Sequence, residues 1–161
     1  MTHRVFIGVD PGLSGAIAFL RYDRVTVRDM PVLTAINNSR NEKDVDALVL
    51  YEMLKDGVLS WEQPVVVLEK TQPMKDSAMT AFSMGMSRMA VLAAAAIAEI
   101  PIVHVTPQVW KKHFGLLKCS KDASRTLVME RFPSLRDELR YKKDHNRAES
   151  VLIALYGREK F

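Results

Sequence analysis

Cysteine is nearly missing from this chain: Cys119 is the single thiol in 161 residues. One thiol closes no disulfide within the chain and makes no zinc-type Cys/His spacing. Stability must therefore come from burying apolar surface, and a reducing compartment is expected. Paired histidines are also lacking, so any metal site would have to be built from oxygen ligands. Long apolar runs are short of the mark as well. The most apolar stretch, from Ala90 to Ile102, is interrupted by Glu99 and Pro101, too short and too broken for a membrane span. No membrane partner is expected. Met1-Thr2-His3-Arg4 leads straight into a strand-like run, without the layout of a secretory leader. No internal repeat or low-complexity linker interrupts the pattern.

What is present points to a folded domain. Hydrophobic residues make up 48% and charged residues 26%, which excludes a disordered chain. The length fits one domain over residues 1–161. The net charge of +4 is compatible with a polyanionic partner but is shared by many unrelated proteins.

The apolar patterning predicts five strands. Arg4 to Asp10 reads as a buried strand stopped by Pro11-Gly12. Gly15 to Arg21 and Arg24 to Asp29 follow on short links that suggest antiparallel hairpins. Residues 30–43 read as a polar loop. Asp44 to Lys55 is a predicted helix with Val45, Leu48, Val49 and Met53 on one face and Gly57 as its stop. Pro64 to Glu69 contains Val65-Val66-Val67-Leu68, apolar enough for a central strand covered on both faces. A long Ala- and Met-rich helix fills about 76–98, and Pro101 to Val105 is a fifth strand. Helices are then expected to about Phe114, from Lys121 to Phe132, and from about Asn146 to Tyr156. The last of these has Ala148, Val151, Leu152 and Leu155 on one face. The fold class is α/β, a mixed five-stranded sheet with helices on both faces.

Four carboxylates stand out by position. Asp10 ends the first strand, although Asp-Pro-Gly is also a good turn. Glu69 ends the fourth strand, where a charge commonly leaves the core. Asp144 and Glu149 flank the start of the last helix, where acids are favoured by the helix dipole. Their five-residue gap lets them converge only if Asp144 lies in a non-helical lead-in. If the first and fourth strands are neighbours, the four form a ring that repels itself unless divalent cations hold it. Oxygen-only ligands favour Mg²⁺ or Mn²⁺. Two such ions about 3.5–4 Å apart form a clamp suited to phosphodiester hydrolysis.

These residues resemble a known family. Ile7-Gly8-Val9-Asp10-Pro11-Gly12, Val67-Leu68-Glu69, Gln72-Pro73-Met74 and Val105-Thr106-Pro107-Gln108-Val109-Trp110-Lys111-Lys112 are similar to segments of RuvC-like Holliday-junction resolvases. So is Lys143-Asp144-His145-Asn146-Arg147-Ala148-Glu149 with the Leu152–Gly157 run after it. The similarity covers nearly the whole chain in the expected order. It implies an RNase H-like fold and a homodimer that nicks four-way junctions or other branched DNA symmetrically. By the same resemblance Asp10, Glu69, Asp144 and Glu149 are the catalytic metal ligands for two Mg²⁺ or Mn²⁺ ions, with no other small-molecule cofactor. The best-known bacterial members have their last two acids three residues apart, where this chain has Asn146. The phage-like and plastid branch has a wider spacing, which Asp144 fits. His145 is the alternative at that position. The cytoplasm of a bacterial or phage-infected cell is the expected location, ahead of a eukaryotic organelle.

Cations near the strand ends are candidates for phosphate contacts: Lys70, Lys75, Lys111, Lys112, Lys118, Lys121 and Arg125, with the run Arg140-Tyr141-Lys142-Lys143 beside them. Trp110 is expected in the core. Phe82, with Met74, is a candidate apolar wedge at a junction centre, against the plainer reading that it packs inside. Ala78, Ala81, Ser83, Gly85 and Ser87 would permit close helix approach in a two-fold dimer. Three other functions compete. A sugar-kinase or actin-like ATPase shares the Asp-Pro-Gly-Leu-Ser-Gly hairpin but needs a second lobe. An RNase H-like nuclease for hybrids or flaps would use the same chemistry. A non-catalytic junction binder would gain nothing from carboxylates placed where phosphates must come.

Overall fold

The computed structural model describes residues 3–37, 40–70 and 77–161. Five strands form one mixed sheet: β1 (His3–Asp10), β2 (Ala16–Arg21), β3 (Arg24–Asp29), β6 (Glu62–Glu69) and β7 (Ile102–Val105). Their order is β3-β2-β1-β6-β7. β1–β2 and β2–β3 pair antiparallel, while β1–β6 and β6–β7 pair parallel. The five predicted strands are all present, each within two residues of its expected start. The fold is the mixed α/β sheet read from the sequence.

The loop expected over 30–43 is instead a second, two-stranded sheet. β4 (Val32–Asn37) pairs antiparallel with β5 (Arg40–Val45). Its polar composition hid it, because Val32 and Leu33 are adjacent rather than alternating, and both are exposed. β5 takes in Asp44 and Val45, so the next helix, α1 (Ala47–Asp56), begins three residues later than expected. Asp46 caps it by accepting a hydrogen bond from the Val49 N–H at 3.0 Å. Its buried side is Leu50 and Leu54, whereas Leu48 and Val49 of the expected face point outward.

Side chains alternate across the sheet. Val5, Ile7 and Val9 of β1 and Val66 and Leu68 of β6 face α1 and the long α2 (Ala78–Ile97), which contributes Val91, Ala94 and Ala95. Phe6 of β1 and Val67 of β6 face the other layer. That layer holds α3 (Pro107–His113), α4 (Lys121–Arg131) and α5 (His145–Lys160). α5 runs four residues beyond the expected end, and it is buried well beyond one stripe: Ser150, Ile153, Ala154 and Gly157 are covered as well as Ala148, Val151, Leu152 and Leu155. It lies so close to β1 that a Cβ at Gly8 would run into the Ser150 carbonyl and the Ala154 nitrogen. Gly8 therefore sets how near α5 can come to the strand.

α2 is long and apolar enough, by length and composition alone, to cross a membrane. It lies along the sheet with Arg88 in its span, and its inner side is part of the core. Its outer side is an apolar stripe: Met79, Phe82, Met86 and Met89 are all about half exposed or more. Phe82 is thus outside the core, 66% exposed.

Candidate active site

Alternation places two of the predicted acids together. On β1, Phe6, Gly8 and Asp10 share a face, and on β6 so do Val65, Val67 and Glu69. The parallel register pairs Val9 with Leu68, so Asp10 and Glu69 follow one step on, side by side at the carboxyl ends of adjacent strands. Both side chains rise on the α5 side. Carboxyl ends of parallel strands are where ligands meet open α/β sheets. The turn after Asp10 bends sharply. Gly12 sits at φ 141°, a conformation that disfavours side chains, and the Gly15 N–H donates to the Gly12 carbonyl at 3.0 Å.

Charge confirms the closeness. The Asp10 carboxyl is held well above the usual range, first by burial, then by the charges of Glu69 and Glu149, with Lys111 and Lys121 opposing. The Glu69 carboxyl is also raised, chiefly by burial and further by Glu149, while a hydrogen bond from Trp110 and the charge of Lys111 pull it down. Lys111 Nζ lies 3.1 Å from Glu149 Oε1. Glu69 is 6% exposed, and its Oε2 accepts from Trp110 Nε1 at 2.7 Å. Trp110 is in the core as expected, but it also reaches the site, which a reading of it as a core aromatic did not foresee.

Asp144 does not join this group. It lies in a 3₁₀ turn, Lys142–Asp144, and is 5% exposed. Its Oδ2 accepts the Tyr141 N–H at 2.7 Å, and its Oδ1 lies 4.0 Å from Arg147 Nη1. One oxygen is engaged within its own turn and the other faces the first turn of α5. Asp144 lines a cavity of about 300 Å³ with Asp29, Lys143 and Arg147, which adjoins the Asp10 side through Ser14 and Asn146. The non-helical lead-in is there, but a backbone bond and a cation turn the carboxylate back. His145 is likewise occupied, with Nδ1 3.1 Å from the Lys142 carbonyl. Asn146 is the residue that reaches the Asp10 side. It shares a cavity of about 290 Å³ with Asp10, Gly12, Ser14, Ser83 and Ser87, and its Nδ2 donates to the Ser14 carbonyl at 2.6 Å.

The donors suit a hard divalent cation: three carboxylates, oxygen ligands only, two of them destabilised first by burial and further by one another's charge. Among the described residues no three acidic or imidazole groups close on one point, and the Lys111 ammonium fills the space beside Glu149. Chemically the set fits; a cation would draw the carboxylates inward and displace Lys111.

The predicted cations separate into two kinds. Lys111, Lys118 and Lys121 line a cavity of about 190 Å³ with Ser124 and Glu149, adjoining the acids. Lys112 and Lys70 are exposed, as is the run Arg140–Lys143, whose Lys143 lines the cavity beside Asp144 and Asp29. Arg125 is a correction. It is buried and bonds the carbonyls of Leu139 (Nε 3.0 Å, Nη2 2.8 Å) and Arg140 (3.1 Å), with Asp122 beside it, so it ties α4 to the following segment. Lys75, Met74 and the Gln72-Pro73 motif lie outside the described residues. Arg147, which the sequence reading passed over, clamps Asp29 through Nε and Nη2, both at 2.6 Å, and fastens α5 to the end of β3.

No protein-family model matches the sequence, and neither does any curated protein. Solved structures do match. A Thermus thermophilus RuvC bound to a Holliday-junction substrate is similar at a TM-score of 0.59 and 16% identity, covering 97% of this chain and 96% of that one. A second Thermus thermophilus RuvC structure is similar at 0.55 and 18%, covering 96% of each. The chain has the RuvC fold.

Proposed function

We propose that this protein is a divalent-metal-dependent endonuclease that resolves four-way DNA junctions and related branched DNA. The observation that carries it is the placing of Asp10 and Glu69 on adjacent strand ends, facing Glu149 on α5. That arrangement sits on a fold shared with a protein solved on a Holliday junction. A Mg²⁺ or Mn²⁺ pair held by Asp10, Glu69 and Glu149 would supply an activated water and a Lewis acid for the leaving 3′ oxygen. The chain's own residues do the rest. Trp110 and Lys111 hold two of the carboxylates. Lys111, Lys118 and Lys121 offer their charges to the phosphates flanking the scissile bond. Asn146 and the Gly12–Gly15 turn wall the other side of Asp10. Asp144 supports the start of α5 rather than a cation.

The apolar stripe of α2, Met79, Phe82, Met86 and Met89, would pair with its copy in a homodimer or stack at the junction centre. A dimer brings two equivalent sites to two equivalent strands. Cytoplasmic work on DNA fits the lone, exposed, unpaired Cys119.

The test is cleavage of a labelled synthetic four-way junction, a matched duplex and an RNA–DNA hybrid, each with Mg²⁺, Mn²⁺ or EDTA. Paired symmetric nicks in the junction alone, lost with EDTA, are expected. Cutting of the hybrid instead would reassign the substrate, and binding without cutting would remove the catalytic role. Size-exclusion light scattering at micromolar concentration should give a dimer mass; a monomer counts against the pairing of α2.

A further inference from the structure

We infer that Trp110 is a positioning residue for Glu69, aiming its carboxylate before any cation arrives; this rests on the metal-site reading above. Trp110 is the one fully buried side chain of α3. Its ring belongs to the α5-side core that also holds Val67, Val105 and Leu152 and is fully buried there, so it has little freedom to turn. From that fixed ring Nε1–H donates to Glu69 Oε2 at 2.7 Å, in a buried setting. An indole N–H only donates. One lone pair of Glu69 Oε2 is thereby taken by the protein, which fixes how the carboxylate is turned and leaves its other lone pairs for a ligand.

The neighbouring residue shows the contrast. Lys111 reaches a different carboxylate, Glu149, with its ammonium 5.0 Å from the Trp110 ring centre. That contact is partly exposed and on a flexible stem, so a cation can replace it. The Trp110 bond cannot be replaced in that way, since its donor is locked in the core. One short helix thus holds Glu69 rigidly and Glu149 exchangeably. Partners of this outer kind commonly change metal affinity by about 10–100-fold when removed.

The experiment is Mn²⁺ binding by calorimetry to full-length protein, with cleavage rate measured across Mn²⁺ concentration. Trp110→Phe keeps a ring and removes the donor. We expect at least about tenfold weaker Mn²⁺ binding and an equal rise in the Mn²⁺ needed for half-maximal cleavage. Val128→Ala, which thins the same core without touching Glu69, should lower the melting temperature and leave Mn²⁺ affinity within about twofold. If Trp110→Phe does not fold, benzothienylalanine at position 110, in a Trp61→Phe background, replaces only the N–H by sulfur. Unchanged Mn²⁺ affinity in a folded donorless variant overturns the inference, as does an equal loss in Val128→Ala. Wild-type protein that binds no Mn²⁺ overturns the metal site itself, and the positioning role falls with it.

Discussion

Gly8→Ala should separate the fold from the site. The added methyl group meets backbone atoms, the Ser150 carbonyl and the Ala154 nitrogen, with the Ala154 side chain behind them. No rotamer change relieves that contact, and α5 is packed too tightly to yield without cost. Overpacking a core costs about 1–3 kcal/mol, and a backbone obstruction belongs at the upper end. At about 2–4 °C per kcal/mol for a chain of this size, the melting temperature should fall by roughly 6–12 °C. Relief comes by moving α5 off β1, and Glu149 sits just before Ser150 on that helix. A shift of about 1 Å in a catalytic group can cost about 100-fold in rate. Junction cleavage should therefore drop by about that factor at a temperature where the variant is fully folded. Gly157→Ala is the control. Its methyl group meets the Val67 side chain, not backbone, and lies two turns from Glu149. It should lose stability yet cut at nearly the wild-type rate per folded molecule. Differential scanning calorimetry gives the first quantity and cleavage below the transition the second. A Gly8→Ala protein that melts within 2 °C of wild type, or keeps full activity, would refute the claim that Gly8 sets the distance between α5 and the catalytic strand.

Further expectations concern the acids and their cation. Asp10→Asn should keep junction binding and lose more than about 100-fold in cleavage, as read from binding and single-turnover rates. The Asp10 carboxyl is raised above 3.8 in the folded state, so the metal-free fold loses stability as pH rises from that value to the raised one, and stays penalised above it. Asp10→Asn should then melt higher than wild type at neutral pH in EDTA, with the gain vanishing at and below about pH 3.8; equal melting at both pH values would contradict this. Asp144→Asn should cleave within about threefold of wild type, because an amide oxygen still accepts the Tyr141 N–H, a bond of about 1 kcal/mol in such settings. Asn146→Asp, by contrast, adds a carboxylate to the Asp10 cavity and should tighten Mn²⁺ binding in calorimetry. Lys111→Met should also tighten Mn²⁺ binding while lowering the slope of log affinity against log salt for the junction by about one, the share of one phosphate contact.

Much of the sheet was legible because its strands are buried on both faces, so Val5–Val9 and Val65–Leu68 announce themselves as apolar runs ended by Asp10 and Glu69. Those two acids could be placed together from neighbouring strands alone, and parity along each strand puts them on one face. The β4–β5 hairpin was not legible, since its polar residues carry little alternation and its pairing depends on β5 running into Val45. For Asp144 the spacing left the side chain's own contacts unread, for a more local reason. Spacing says only where a residue's backbone lies relative to Glu149; it does not say which partner takes its side chain. Here the Tyr141 N–H takes one oxygen and Arg147 lies beside the other. The same limit works in the other direction for Trp110 and Lys111. Adjacent residues on a helix diverge by about 100°, so a sequence reader sends one to the core and one to solvent. At α3 the two directions both end on carboxylates, because Glu69 approaches from the strand beneath and Glu149 from the helix alongside. The acids come from three distant segments, but the residues that hold two of them are consecutive. The expected consequence is that a change in α3 that shifts Trp110 moves Glu69 directly and Glu149 only through the exchangeable Lys111 contact, whereas changes at the start of α5 reach Glu149 and, through Asn146, the Asp10 side.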